Sequence, residues 1–135
     1  MSVSITRVTG LAVIGIALST VAVAHDASRF TFPRAEFLPG SQGMALAQAF
    51  VAQDLPRGLP MTEAVARVRR AVMACHPARA VSGVMVCEYS ISVKPDGGDA
   101  GEDGWRVRLS PGPDGRLQDA SVSRFHIGMP GQLGD

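Results

Sequence analysis

The residues of this chain best equipped for chemistry are two cysteines, three histidines and a dense run of carboxylates. Cys75 and Cys87 form an even pair, which in an oxidising compartment resolves most simply into one disulfide. The rival use, a structural zinc site, wants four ligands, and His76 is the only histidine close by in sequence. Cys75-His76 also lacks the second cysteine that haem attachment requires. Between Asp96 and Gly104 stand Asp96, Asp99, Glu102 and Asp103 among glycines. Calcium takes about six to eight oxygen ligands, but the spacing is not that of an EF-hand loop. A solvated hairpin loop accounts for the same composition.

Nucleophilic catalysis has no local signature here. None of the serines stands in Gly-x-Ser-x-Gly, and no Gly-rich phosphate loop is present. A small hydrolase would need His76 or His126 to meet a serine or a carboxylate in space. No catalytic residue is assigned, no cofactor is expected, and the chain reads as a non-enzyme. His25 offers a narrower alternative. At the start of a processed chain, its amine and ring nitrogen could hold copper together with a second histidine.

The compartment follows from the first segment. Met1–Arg7 is short and polar with one positive charge, Val8–Val23 is uncharged and mostly apolar, and Ala22-Val23-Ala24 offers small residues for cleavage. The apolar run falls short of the roughly 20 residues that span a bilayer, and Thr9, Gly10, Gly15, Ser19 and Thr20 interrupt it. Residues 1–24 therefore read as a cleaved secretory signal peptide. The working protein starts at about His25, in the periplasm or outside the cell, without a stable membrane span. No cysteine follows the leader to accept a lipid. Arg7 departs with it, leaving basic and acidic residues equal in number. A neutral, mixed-sign chain argues against nucleic-acid binding, which needs clustered positive charge.

The elements that must position these residues follow from periodicity. Residues 25–43 have no sustained period and read as an extended arm that carries Phe30, Phe32 and Phe37. Ser41–Leu55 reads as a helix capped by Ser41, with Leu46, Phe50 and Leu55 near one face, stopped by Pro56, Gly58 and Pro60. A second helix runs from Met61 or Thr62 to Cys75, with Thr62 as its cap. Its inward stripe is Val65, Val68, Val72 and Cys75. Val84–Val93 alternates as a strand with Met85, Cys87, Tyr89, Ile91 and Val93 on the buried side. Trp105–Ser110 is the second strand, with Trp105, Val107 and Leu109 inward and Arg106 and Arg108 outward. Asp114-Gly115 suits a hairpin turn. Leu117–Ile127 is the third strand, and its alternation breaks between Leu117 and Ala120, which marks a bulge or a register change. A Gly-containing tail follows over residues 128–135.

The domain is thus residues 44–127, an α+β sandwich of order α-α-β-β-β. Two helices pack on one face of a three-stranded antiparallel sheet, and a disulfide joins the second helix to the first strand. In the chain-entropy model that short loop contributes about 3 kcal/mol. Arg106 and Arg108, with Arg124 as a further candidate, line the outward face. A charged face is the ordinary solution for a half-exposed sheet. The sharper reading makes it a docking surface, because Arg is favoured at interfaces.

From Leu59 to Val122 the chain resembles the SmpA/OmlA-type proteins, small periplasmic components of outer-membrane protein assembly. Gly58-Leu59-Pro60-Met61-Thr62-Glu63 is similar to that family's Gly-Met-Thr helix start with Leu-Pro inserted. Cys87-Glu88-Tyr89 is similar to its aromatic first strand. Arg106–Leu109 and Gly115-Arg116-Leu117 are similar to its paired strands. The chain departs from the family in three ways: no lipid-acceptor cysteine, no Gly-x-Pro after the second helix, and a disulfide. The resemblance implies two helices on a three-stranded sheet and a binding role at the envelope. Together these readings predict a small exported protein that binds another protein through Phe30, Phe32 and Phe37 of the arm and Arg106 and Arg108 of the sheet. A copper-binding protein using His25 and a small hydrolase are the alternatives.

Overall fold

The computed structural model describes residues 29–94 and 100–128. The leader, His25, Asp96, Asp99 and residues 129–135 lie outside the described residues. Seven elements follow in order: α1 (Phe32–Glu36), α2 (Gln42–Asp54), α3 (Met61–Arg70), β1 (Ala74–Pro77), β2 (Met85–Val93), β3 (Gly101–Pro111) and β4 (Leu117–Gly128). The strands form one antiparallel meander in the order β1-β2-β3-β4. The α+β class and the disulfide stand, while the expected two helices and three strands become three and four.

The extra helix comes from the arm. Pro33 sits in the first turn of α1, where its missing N–H is no loss. Phe32 and Ala35 are buried by the same turn. The Phe32 N–H donates to the carbonyl of Ala71 (3.1 Å), and the Phe32 ring lies 5.8 Å from that of Trp105. Phe30 stacks on Phe50 at 5.0 Å. The segment is therefore not an extended strap over residues 32–36. Burying an aromatic side chain is worth about 1.5–3 kcal/mol, and two of the three phenylalanines take that gain within their own domain. Phe37 alone is left in solvent, 77% exposed.

The extra strand corrects the end of the second helix. α3 stops at Arg70, with Ala71 as its cap, and Val72 turns the chain with a positive φ of 69°. Ala74–Pro77 then runs back as a strand, pairing Cys75 with Cys87 and Pro77 with Met85. Cys75 is thus a strand residue, and the Cys75–Cys87 disulfide is a rung across two strands rather than a helix-to-strand bridge. Their Cα atoms lie 3.9 Å apart, directly opposite each other in the antiparallel pair. Of the expected stripe, Val68 is fully buried and Val72 is half exposed. Pro60, not Thr62, precedes the first residue of α3. Ser41 does cap α2 by position, though its hydroxyl makes no capping hydrogen bond.

The sheet follows the alternation closely. Cys87, Trp105, Val107 and Leu109 have no exposed surface and meet Phe32, Ala47, Ala64 and Val68 from the helices. Opposite them Arg106 and Arg108 are exposed. β3 and β4 pair from Gly101↔Gly128 to Ser110↔Asp119, then slip so that Pro111 meets Leu117. Gln118 is the extra residue, a bulge inside the interval where the alternation breaks. Gly115 supplies the positive φ of the hairpin (75°). β2 and β3 stay paired as far as Val93↔Gly101, so Glu102 and Asp103 belong to β3 and not to a loop.

Candidate functional site

Register decides which side chains can act together. On the face that carries the helices, successive rungs read Cys87–Val107–Val122, Tyr89–Trp105–Arg124 and Ile91–Asp103–His126. On the other face they read His76–Val86–Arg108–Ser121, then Glu88–Arg106–Ser123, Ser90–Gly104–Phe125 and Ser92–Glu102–Ile127. Arg124 stands on the helix side because it pairs with Trp105. It does not join Arg106 and Arg108.

The helix side ends in a polar cluster. The Trp105 indole N–H donates to Glu36 Oε2 at 2.6 Å, and an Arg124 N–H donates to Glu36 Oε1 at 2.7 Å. The guanidinium also lies over the indole, 4.8 Å from its ring. The Glu36 side chain is only 6% exposed, so this carboxylate is held by two donors where water is scarce. One rung further, His126 Nδ1 and Asp103 Oδ1 lie 2.5 Å apart. A histidine oriented by a carboxylate is two-thirds of a hydrolytic triad. Of the described serines of the sheet, Ser90, Ser92, Ser121 and Ser123 alternate onto the opposite face. Among the described residues no three potential metal ligands gather.

The open face holds a second arrangement. Arg106 donates to Glu88 Oε1 (2.7 Å), and its guanidinium lies 4.9 Å from the Phe125 ring. The Phe125 ring in turn lies over Gly104, so close that a Cβ there would collide with it and with the carbonyl of Tyr89. Gly104 is therefore the residue that lets an aromatic side chain lie flat on the sheet. Arg108 makes no ion pair among the described residues.

The five expected partner-binding residues do not form one patch. Phe32 is core, Phe30 is stacked on Phe50, and Phe37 follows Glu36 on the helix side. Arg106 and Arg108 point out through the other face of the sheet. The Glu36–Trp105–Arg124 cluster was not foreseen. Its members stand 69 and 88 residues apart in pairs, and no short-range pattern links them. No protein-family model, curated protein or solved structure matches this chain.

Proposed function

We propose that this is an exported, non-catalytic protein that acts by binding another protein, at the cell envelope. One observation carries the reading: the helices pack on one face of the sheet, and among the described residues no element covers the other, which carries Arg106, Arg108, Phe125 and Ile127. Ile127 is half exposed, and aromatic and arginine side chains are the types enriched at protein interfaces. A cross-strand disulfide suits a domain that must persist in an oxidising compartment. The resemblance of residues 59–122 to the SmpA/OmlA-type proteins points to the same class of role, and fold alone does not fix it. Of the three arm phenylalanines, Phe37 is the one left in solvent, on the helix side of the molecule.

The test is recovery of a specific partner from envelope extracts by the tagged protein. Changing Arg108 to Glu should abolish that recovery while leaving the fold intact. Changing Phe37 to Ala asks separately whether the helix side contributes. If neither change alters what is recovered, the sheet-face reading is wrong. The small-hydrolase alternative rests on the Asp103–His126 pair alone, and a serine-directed fluorophosphonate that fails to label the protein removes it.

A further inference from the structure

We propose that β4 is a self-association edge, pairing antiparallel with β4 of a second copy of this chain about a two-fold axis through Ser123. β4 ends the order of strands, so alternate residues along it turn their N–H and C=O groups away from β3. At the start of the strand that outer edge is taken. Leu117 exchanges backbone hydrogen bonds with Gly58 (2.7 Å) and Leu59 (2.8 Å), and Arg57 donates to the carbonyl of Gln118 (3.2 Å). From Asp119 to Ile127, no backbone besides β3 pairs with it among the described residues. An open edge of that length, roughly 30 Å, is a template for another strand unless something blunts it.

Little in this stretch blunts it. It holds no proline, and Asp119 and Arg124 are its charged residues. The Arg124 guanidinium is drawn off the edge, over the Trp105 ring and onto Glu36. The far edge of the sheet differs. β1 has four residues and ends at Pro77, which has no N–H to offer. Adding β4 of one copy to β1 of the next would pair little, and a strand left to meet its own kind closes a two-fold dimer.

Sterics and charge choose the register. Opposite residues share a face of the sheet, so the axis must pass through a residue. At Ser123 it sets Ser121 against Phe125 of the second copy and Asp119 against Ile127, all within the open stretch. An axis at Val122 would set Ile127 against Leu117, whose edge Gly58 and Leu59 already hold. An axis at Arg124 would place two like charges directly opposite. Ser123 is exposed and small enough to meet its own copy. Both copies then carry α2, which packs on β4, on the same side of the joined sheet. α2 has no charged residue before Asp54, so no like charges oppose along it. The edge is separate from the partner-binding face, and the two roles can fail independently.

Sedimentation equilibrium of the purified protein, with no other protein present, tests this directly. The expected mass at tens of micromolar is twice that of the chain. Ser123→Asp sets two carboxylates against each other across the axis and should weaken the dimer about fivefold or more. Its circular dichroism spectrum should be unaltered, because the position is exposed. The same change at Ser82, exposed in the connection between β1 and β2, should leave the dimer as it was. Ser123→Cys should link two chains by a disulfide under mild oxidation. Ser121→Cys should not, because its two copies lie too far apart along the strands to be bridged. A chain that stays monomeric overturns the proposal. A dimer that Ser123→Asp leaves unchanged overturns it too, as does one that Ser121→Cys links as readily as Ser123→Cys.

Discussion

The carboxylate of Glu36 accepts the indole N–H of Trp105 at 2.6 Å, joining the last residue of α1 to the middle of β3 across 69 positions of sequence. This bond explains why a five-residue helix holds its place. With Phe32 it fixes α1 at both ends, and it satisfies a polar atom that Trp105 would otherwise bury alone. Glu36→Ala strands that donor and removes the partner of Arg124, so unfolding in urea should cost about 2–3 kcal/mol less. Glu36→Gln keeps an acceptor for the indole and should cost about 1 kcal/mol. Trp105 is the only tryptophan, so its fluorescence reports the transition without ambiguity.

Val72 is a β-branched residue in the left-handed region, at φ 69°, where Cβ crowds the backbone. It is half exposed, so little burial is lost when its side chain is removed. Val72→Gly should raise stability by about 1 kcal/mol, and Val72→Asn by less. A decrease in either melt would mean that the valine side chain contributes packing greater than the strain it bears.

The disulfide closes a loop with a sequence separation of 12. Replacing Cys75 and Cys87 together with Ala should lower stability by about 3 kcal/mol, chiefly by freeing the unfolded chain. Wild-type protein melted with a reducing agent should fall to the level of that double variant. If both melt like the oxidised protein, the rung between β1 and β2 is not a stabilising element.

Glu63 titrates below the usual glutamate range. The Arg67 hydrogen bond lowers it most, the Arg70 hydrogen bond next, against a smaller desolvation effect that raises it. A depressed carboxyl contributes its stability fully above the ordinary value of 4.5, and loses it as pH falls from there through the folded value. Glu63→Gln should therefore melt below wild type at pH 7, and the gap should close as pH falls from 4.5 through the folded value. The gap will be small, because the group is solvent-exposed.

The legible parts of this fold were those written at short range. Alternation located β2, β3 and β4, the break before Ala120 located the bulge at Gln118, and the two cysteines named their own partner. The errors share one cause. Val65, Val68, Val72 and Cys75 are spaced as a helix stripe, and no glycine or asparagine marks a stop at position 72. Val72 nevertheless takes the left-handed turn, and the four residues of β1, mostly exposed, show no alternation of their own. α1 is too short to display a period. Arg124 and His126 could be placed only once the register was known, because a slip of one residue sends each to the other face.

In the proposed role, this domain meets a protein through the sheet face that carries Arg106 and Arg108. The most direct measurement is site-specific photocrosslinking in living cells, with the reactive group placed in turn at Arg108, at Ser123 and, as a control, at Gln53 on α2. One discrete adduct is expected from both sheet positions and none from the helix. Adducts from all three positions alike, or from none, would rule out the sheet face as the contact.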